Sequence, residues 1–127
     1  MIRSKILVVE DDYDTQIFLK LLLGKKFDLE ICRTGEEFYE ILGNCGYNLI
    51  IMDIAIKGHK DGLQITREIK NSDSYKNIPI LCLSAHVLES DKENALNAGV
   101  DKFLAKPVSN QILMETINSM ILVDQFS

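Results

Sequence analysis

The stretch Asn48-Leu49-Ile50-Ile51-Met52-Asp53 decides the fold of this chain, because an unbroken apolar run ends directly in a carboxylate. So short an apolar run is typical of a strand that is buried on both faces, as in a parallel sheet covered by helices. Ligands of such sheets bind beyond the carboxyl ends of the strands. The stretch therefore predicts a parallel sheet that presents Asp53 at a binding edge.

Two further apolar runs, at residues 6–9 and 80–83, and a weaker one at residues 101–105 are also followed by polar groups. These groups are the acids Glu10, Asp11 and Asp12 after the first run, Ser84 after the second, and Lys106 after the third. Parallel strands place their carboxyl ends at one edge of the sheet. We therefore expect several carboxylates, a hydroxyl and an ammonium group to lie close together.

Strand and helix patterns alternate five times along the sequence. The predicted strands are residues 5–9, 29–32, 49–52, 80–83 (opened by Pro79) and 101–105, and the predicted helices are residues 14–23, a helix capped by Thr34, and residues 61–71, 87–98 and 109–122. In the first helix, the apolar residues at helical spacing are Ile17, Phe18, Leu21 and Leu22. The alternation predicts a doubly wound α/β fold with helices on both faces of the sheet.

Length and composition restrict the class of protein. The chain has 127 residues, enough for one sizeable core, and its net charge of -5 without a basic stripe argues against nucleic acid as a direct partner. No apolar stretch has the length of a signal peptide or of a membrane span. The three cysteines lack zinc-binding spacing, and reduced thiols predict a cytoplasmic location. We expect a single domain over residues 1–127, without an output domain.

Clustered carboxylates need a cation, because they repel one another when all of them are ionised. Mg²⁺ suits such a cluster, since it binds carboxylates, waters and phosphate oxygens together. With Lys106 and Ser84 nearby, the site could hold a phosphoryl group. Asp53 could then act as the nucleophile and become an acyl phosphate.

The ordered motifs of the chain resemble the receiver domain of two-component response regulators, from residue 5 to about residue 122. The matching motifs are the acidic turn after residues 6–9, Met52-Asp53-Ile54, Asp61-Gly62-Leu63, Ile78-Pro79-Ile80 with Ser84-Ala85, and Lys106-Pro107. Each motif alone is weak, whereas the ordered set is specific. The resemblance implies a flavodoxin-like, five-stranded parallel sheet of order 2-1-3-4-5 and a signalling domain rather than an enzyme.

The resemblance also implies a role for each site residue. Asp53 would be the phosphoacceptor, and Mg²⁺ would be held by Asp11, by Glu10 through a water, by Asp53 and by the backbone carbonyl of Ala55. Ser84 would close on the phosphoryl group and Lys106 would pair with it. A cis peptide bond is expected at Pro107, Phe103 matches the aromatic switch position, and Asp12 is expected to be a bystander.

The implied partners are proteins. A histidine kinase or histidine phosphotransfer protein would supply the phosphoryl group, and a downstream protein would bind helix 4, strand 5 and helix 5, around residues 87–98 and 103–114. A monomer or weak dimer is expected. We further hypothesise that Ala55 and His86 flank the path of the water that removes the phosphoryl group. His59 and His86 are expected to face solvent rather than to act in catalysis.

Two features depart from the family pattern. The loop Ile56-Lys57-Gly58-His59-Lys60 lacks the usual proline and is one residue longer before the Asp-Gly pair. The switch position holds Phe103 instead of tyrosine, so it offers no hydroxyl to a partner.

Two other classes of protein remain as alternatives. Asp12-Tyr13-Asp14-Thr15 resembles the nucleophile motif of haloacid-dehalogenase phosphatases, with Asp12 as the nucleophile. That fold needs a further acidic pair after the lysine, and only Glu115 and Asp124 follow Lys106. A nucleotide-binding module would need a glycine-rich loop after the first strand, and none is present there.

Overall fold

The computed structural model describes residues 3–56, 60–85 and 88–126, with side chains as far as residue 121. The strands are β1 (Lys5–Val9), β2 (Asp28–Cys32), β3 (Leu49–Met52), β4 (Ile80–Ser84) and β5 (Lys102–Ala105). The helices are α1 (Tyr13–Leu23), α2 (Gly35–Leu42), α3 (Gly62–Lys70), α4 (Glu89–Ala98) and α5 (Asn110–Phe126).

The five strands form one parallel sheet in the order β2-β1-β3-β4-β5. Both the doubly wound architecture and the strand order predicted from the sequence are confirmed. Crossover connections in such a sheet place helices on both of its faces, here α1 and α5 on one face and α2, α3 and α4 on the other.

Alternate residues of the central strands supply two hydrophobic cores. Leu7 of β1 and Ile50 of β3 point into the core beneath α2, α3 and α4, which also contains Phe38 and Ile65. The residues in between point into the core beneath α1 and α5. All four residues of β3 are buried, which is the reason for the unbroken apolar run. A strand with helices on both faces has no solvent-facing side.

Helix capping explains the differences between the predicted and observed bounds of α1 and α3 and at the start of α5. Asp12 accepts a hydrogen bond from the Thr15 N–H at 3.0 Å, so α1 begins at residue 13 instead of 14. Asp61 caps α3 in the same way, and Asn71 is its C-cap. Ser109 Oγ accepts from the Ile112 N–H, so α5 begins one residue later than predicted.

Other bounds differ at the strands and at the last two helices. Strand β2 begins at residue 28, and Pro79 precedes β4 instead of opening it. Strand β5 begins at residue 102, because the Asp101 side chain accepts the Ile80 N–H at 2.7 Å. The end predicted for α5 at residue 122 is too early, since the helix continues to residue 126. The predicted start of α4 at Val87 lies outside the described residues.

The apolar face predicted for α1 is partly wrong. Leu19 and Leu23 are its buried residues, whereas Ile17 and Leu21 are exposed. Two of the three free thiols, Cys32 and Cys82, are buried as expected, and Cys45 is only partly buried. Within the described residues, no helix combines the length and apolar character needed to cross a membrane.

Candidate phosphoacceptor site

Strand register assembles the polar groups at one edge of the sheet. Val9 is paired with Met52, so the residues that follow them, Glu10 and Asp53, emerge side by side. The Asp53 N–H donates to the Val9 carbonyl at 3.0 Å, which extends the ladder by one bond. The Lys106 N–H likewise donates to the carbonyl of Ser84 at 2.8 Å. The backbone therefore fixes where the acids and the lysine leave the sheet.

Asp53 lies at the centre of this edge and is only 7% exposed. Its Oδ1 accepts a hydrogen bond from the Ala55 N–H at 3.0 Å, and its Oδ2 lies 3.7 Å from Lys106 Nζ. One carboxylate oxygen is thus held by the backbone that follows β3, while the other faces the ammonium group. This arrangement fixes the direction in which the carboxylate points.

Glu10 is buried against the same lysine. Lys106 Nζ donates to Glu10 Oε1, and the Asp12 N–H donates to Glu10 Oε2 at 3.2 Å. Burial and the neighbouring Asp53 together raise the pKa of Glu10 to about 7, against the opposing effect of Lys106. Two acids this close to each other repel one another when both are ionised.

The acids fit a divalent metal ion. Glu10, Asp11 and Asp53 each offer a carboxylate oxygen, and these oxygens lie within 4.8 Å of one another. Two of the three residues are buried, and the ammonium group of Lys106 contacts Glu10 and Asp53. A cluster of carboxylate oxygens has the donor chemistry that Mg²⁺ prefers.

The remaining predicted site residues lie on the neighbouring strands or directly after them. Ser84 is fully buried at the carboxyl end of β4, and Ala55 is exposed just after β3. Phe103 is half-buried on β5, opposite Cys82, and packs against the core beneath α2, α3 and α4. The Lys106–Pro107 peptide bond is cis, as predicted. His59 and His86 lie outside the described residues.

Asp12 is separated in role from its two acidic neighbours. It is exposed, and its Oδ2 accepts hydrogen bonds from both the N–H and the hydroxyl of Thr15. These bonds lower the pKa of Asp12. The side chain is therefore engaged as the N-cap of α1, and the bystander role expected from the sequence stays a prediction.

Two contacts at the site were not foreseen from the sequence. Gln16 Nε2 donates to the Glu10 carbonyl at 2.6 Å and so ties α1 to the acidic turn. Gly62, at the start of α3, lies directly against the backbone of Asp53, where a Cβ atom would come 2.7 Å from Ile54 Cα. The Asp-Gly pair signalled a motif, but only the tertiary packing of α3 gives the reason for the glycine.

Comparison with known proteins agrees with this geometry. The family model of the response regulator receiver domain matches residues 6–118 of the chain. The chain belongs to this family. Receiver domains act in two-component signalling, so the chain is a signalling domain of that class.

Relatives of this receiver domain differ widely in total length. The chain is 36% identical to a hybrid signal transduction histidine kinase I of Dictyostelium discoideum, over 95% of the chain but only 7% of that protein. It is 26% identical to the polar-differentiation response regulator DivK of Brucella anthropi, covering 95% of the chain and 98% of the relative. The chain thus matches a small part of one relative and nearly all of the other.

Solved receiver domains superimpose closely on the fold. The receiver domain of a sensor histidine kinase from Pseudomonas aeruginosa PAO1 has a TM-score of 0.85 at 29% identity, covering 94% of the chain and 98% of that structure. That structure has a magnesium ion coordinated in its active site cleft. A two-component response regulator from Clostridium difficile has a TM-score of 0.85 at 27% identity, covering 94% and 96%.

These comparisons do not support the haloacid-dehalogenase alternative. Its proposed nucleophile, Asp12, is the exposed N-cap of α1, whereas Asp53 is buried and lies beside Lys106. The resemblance of residues 12–15 to a nucleophile motif has another cause, because acids and threonine are also favoured at helix N-termini.

Proposed function

We propose that this receiver domain takes a phosphoryl group from a histidine protein onto Asp53 and passes the signal to a protein partner. The observation that carries the proposal is the placement of Asp53, which is held by the Ala55 N–H on one oxygen and faces Lys106 with the other. A buried, oriented carboxylate beside a cation is suited to nucleophilic attack.

The transfer is a displacement at phosphorus. An oxygen of the Asp53 carboxylate forms a bond to the phosphorus of a phosphohistidine, and the N–P bond breaks with its electron pair returning to the imidazole nitrogen. Lys106 offsets the negative charge of the phosphoryl oxygens. The product is an acyl phosphate on Asp53, and its hydrolysis by water restores the carboxylate and releases phosphate.

The acidic cluster supports a role for Mg²⁺. Asp11, Asp53 and the backbone carbonyl of Ala55 would hold the ion directly, and Glu10 would hold it through a water. When bound, Mg²⁺ supplies positive charge that neutralises the acids and the phosphoryl oxygens. The magnesium in the related Pseudomonas aeruginosa receiver domain also supports this proposal.

The phosphoryl donor is proposed to bind the exposed face of α1. Tyr13, Ile17 and Leu21 are spaced four residues apart on this helix and are 71%, 37% and 69% exposed. Beside α1, a cavity of about 390 Å³ is lined in part by Phe18 and by Lys106. Because α1 begins directly after the acidic turn, an apolar row on this helix fits a helix of a donor that carries its histidine to Asp53.

The donor surface can be tested apart from the chemistry. The substitution Leu21→Ser is expected to slow phosphotransfer from a histidine kinase of the same organism and to leave phosphorylation by acetyl phosphate unchanged. Equal loss with both donors would contradict the assigned surface, since acetyl phosphate does not need a docking helix.

The output surface, α4, β5 and α5, stays a proposal, as do the single-domain organisation, the cytoplasmic location and the oligomeric state. Ser84 and Lys106 both lie at the site and both lead into that surface. A hydrogen bond from Ser84 to the phosphoryl group would favour one arrangement of the loop after β4, and Phe103 would respond to the change. The rate of phosphoryl loss is proposed to depend on Ala55 and on His86, which lies outside the described residues.

The proposed chemistry is tested by intact-mass measurement. With acetyl phosphate and Mg²⁺, the wild-type protein is expected to gain one phosphoryl group, and the gain should vanish when EDTA removes the metal. The Asp11→Ala variant should lose Mg²⁺-dependent phosphorylation. A phosphorylation level in EDTA equal to that in Mg²⁺ would contradict the metal requirement.

A further inference from the structure

Three side chains meet beside the entrance to α3. Lys60 Nζ donates to both carboxylate oxygens of Glu68, at 2.9 and 2.7 Å. The hydroxyl of Tyr39, on α2, donates to the same carboxylate. Lys60 Nζ also lies 5.3 Å from the centroid of the Tyr39 ring. We name this set the Lys60–Glu68–Tyr39 cluster; each member contacts both of the others.

The cluster is stronger than an ordinary surface ion pair. Lys60 and Glu68 are 40% and 37% exposed, and an isolated pair at that exposure would contribute little. Here the carboxylate accepts three hydrogen bonds, and the cation also faces an aromatic ring. The contacts with Lys60 and then Tyr39 lower the pKa of Glu68, so the acid remains ionised. Burial and Glu68 raise the pKa of Tyr39, which stays a neutral donor.

The cluster holds the residue from which the chain enters α3. Lys60 is followed by the N-cap Asp61 and by Gly62, the first residue of the helix. The Gly62 N–H donates to the Ile54 carbonyl at 3.3 Å, and Gly62 lies against the Asp53 carbonyl. One residue further on, the Ala55 N–H donates to Asp53 Oδ1. A continuous set of contacts therefore runs from Lys60 to the proposed phosphoacceptor.

We propose that the Lys60–Glu68–Tyr39 cluster positions the Asp53 carboxylate by fixing the entrance of α3 against the backbone of residues 53–55. The inference rests on the proposed function, because it takes Asp53 as the phosphoacceptor. Lys60, Glu68 and Tyr39 are positioning residues, since they act through Gly62 and do not touch the reacting atoms.

The sequence of the loop before α3 gives an independent reason for such an anchor. This loop lacks proline, which would have restricted its backbone. Lys60, held by three contacts directly before the N-cap of α3, restricts the backbone at the point where the helix begins.

The test compares Lys60→Met and Tyr39→Phe with the wild type. The matched control is Lys76→Met, because Lys76 forms an exposed ion pair with Asp73, at 3.4 Å, on the segment after α3. The first readout is the set of amide chemical shifts of residues 53–55, with hydrogen exchange of the Ala55 amide, in unphosphorylated protein without metal. The second is the initial rate of phosphorylation by acetyl phosphate in Mg²⁺.

Both cluster variants are expected to shift the amide signals of residues 53–55, to speed exchange at Ala55 and to slow phosphorylation roughly 3- to 10-fold, because small misplacements of a reacting group are costly. Lys76→Met should change none of these. Lys60→Arg should restore them, since a guanidinium can bind a carboxylate through two bonds and stack on the Tyr39 ring.

Unchanged amide signals and rates in both variants would overturn the proposal, and so would an equal response of Lys76→Met. Tyr39→Phe removes a single hydroxyl and keeps the test valid if Lys60→Met does not fold. A wild-type protein that accepts no phosphoryl group would contradict the proposed function. The amide signals, which need no phosphorylation, would still decide whether the cluster positions Asp53.

Discussion

Replacing Gly62 with alanine places a methyl group where α3 meets the backbone of Asp53. A Cβ atom at this position would collide with the Asp53 carbonyl oxygen and lie 2.7 Å from Ile54 Cα. These neighbours are backbone atoms next to a buried strand and cannot rotate away. Helix α3 would have to move outward, and the hydrogen bond from the Gly62 N–H to the Ile54 carbonyl would lengthen.

The expected magnitude follows from two opposing effects. Overpacking against rigid neighbours costs about 1–3 kcal/mol. Alanine in a helix is favoured over glycine by up to about 1 kcal/mol, and less than that in the first turn. We expect Gly62→Ala to lower the free energy of unfolding by about 1–2 kcal/mol. For a domain of this size that loss corresponds to roughly 3–10 °C in Tm.

The assay is denaturant unfolding together with the rate of phosphorylation by acetyl phosphate, and the control is Gly46→Ala. Nothing lies within 4 Å of a Cβ atom at Gly46, and among the described glycines only Gly99 has a positive φ. The control should be neutral or stabilising by about 0.4–1 kcal/mol, with an unchanged rate. Equal stability and equal rates in Gly62→Ala and Gly46→Ala would refute the close packing of α3 on Asp53.

Three further predictions follow from single contacts. Asp12→Ala should lower Tm by removing the N-cap of α1 yet leave Mg²⁺-dependent phosphorylation largely intact; loss of phosphorylation would place Asp12 in the site. Asp101→Ala should reduce the free energy of unfolding in urea by about 1–3 kcal/mol, since the Ile80 N–H loses its partner; no change would mean that water replaces the carboxylate. In the wild type, the amide shift changes caused by a phosphoryl mimic at Asp53 should reach Phe103, whereas in Ser84→Ala they should stay with the neighbours of Asp53. An equal spread in the two proteins would contradict the proposed coupling of Ser84 to Phe103.

The fold could be predicted from the sequence because its strongest signals are local. The four apolar residues of β3 are buried on both faces, and the acid that follows is the one that the register places beside Glu10. Parallel pairing then brings Lys106 to the same edge, although it lies far away in the sequence. Because parallel strands place their carboxyl ends at one edge of the sheet, this convergence could be predicted without any knowledge of side-chain positions.

Other features depend on tertiary contacts that no local pattern encodes. The face of α1 was predicted incorrectly at Ile17 and Leu21, because apolar residues surround much of this helix and spacing alone does not choose the buried side. The role of Gly62 requires the position of α3 against Asp53. Tyr39 contacts Glu68 and Lys60, and so joins α2 to α3 and to the residue before its N-cap, although strand β3 lies between the two helices in the sequence.

The residue that carries the phosphoryl group can be identified directly by borohydride trapping. The protein is phosphorylated with acetyl phosphate and Mg²⁺, and borohydride then reduces the acyl phosphate to homoserine, which peptide mass spectrometry locates. If Asp53 is the phosphoacceptor, homoserine is expected at position 53 alone, with no modification in Asp53→Asn. Homoserine at position 11 or 12 of the wild type, with position 53 unmodified, would contradict the role of Asp53.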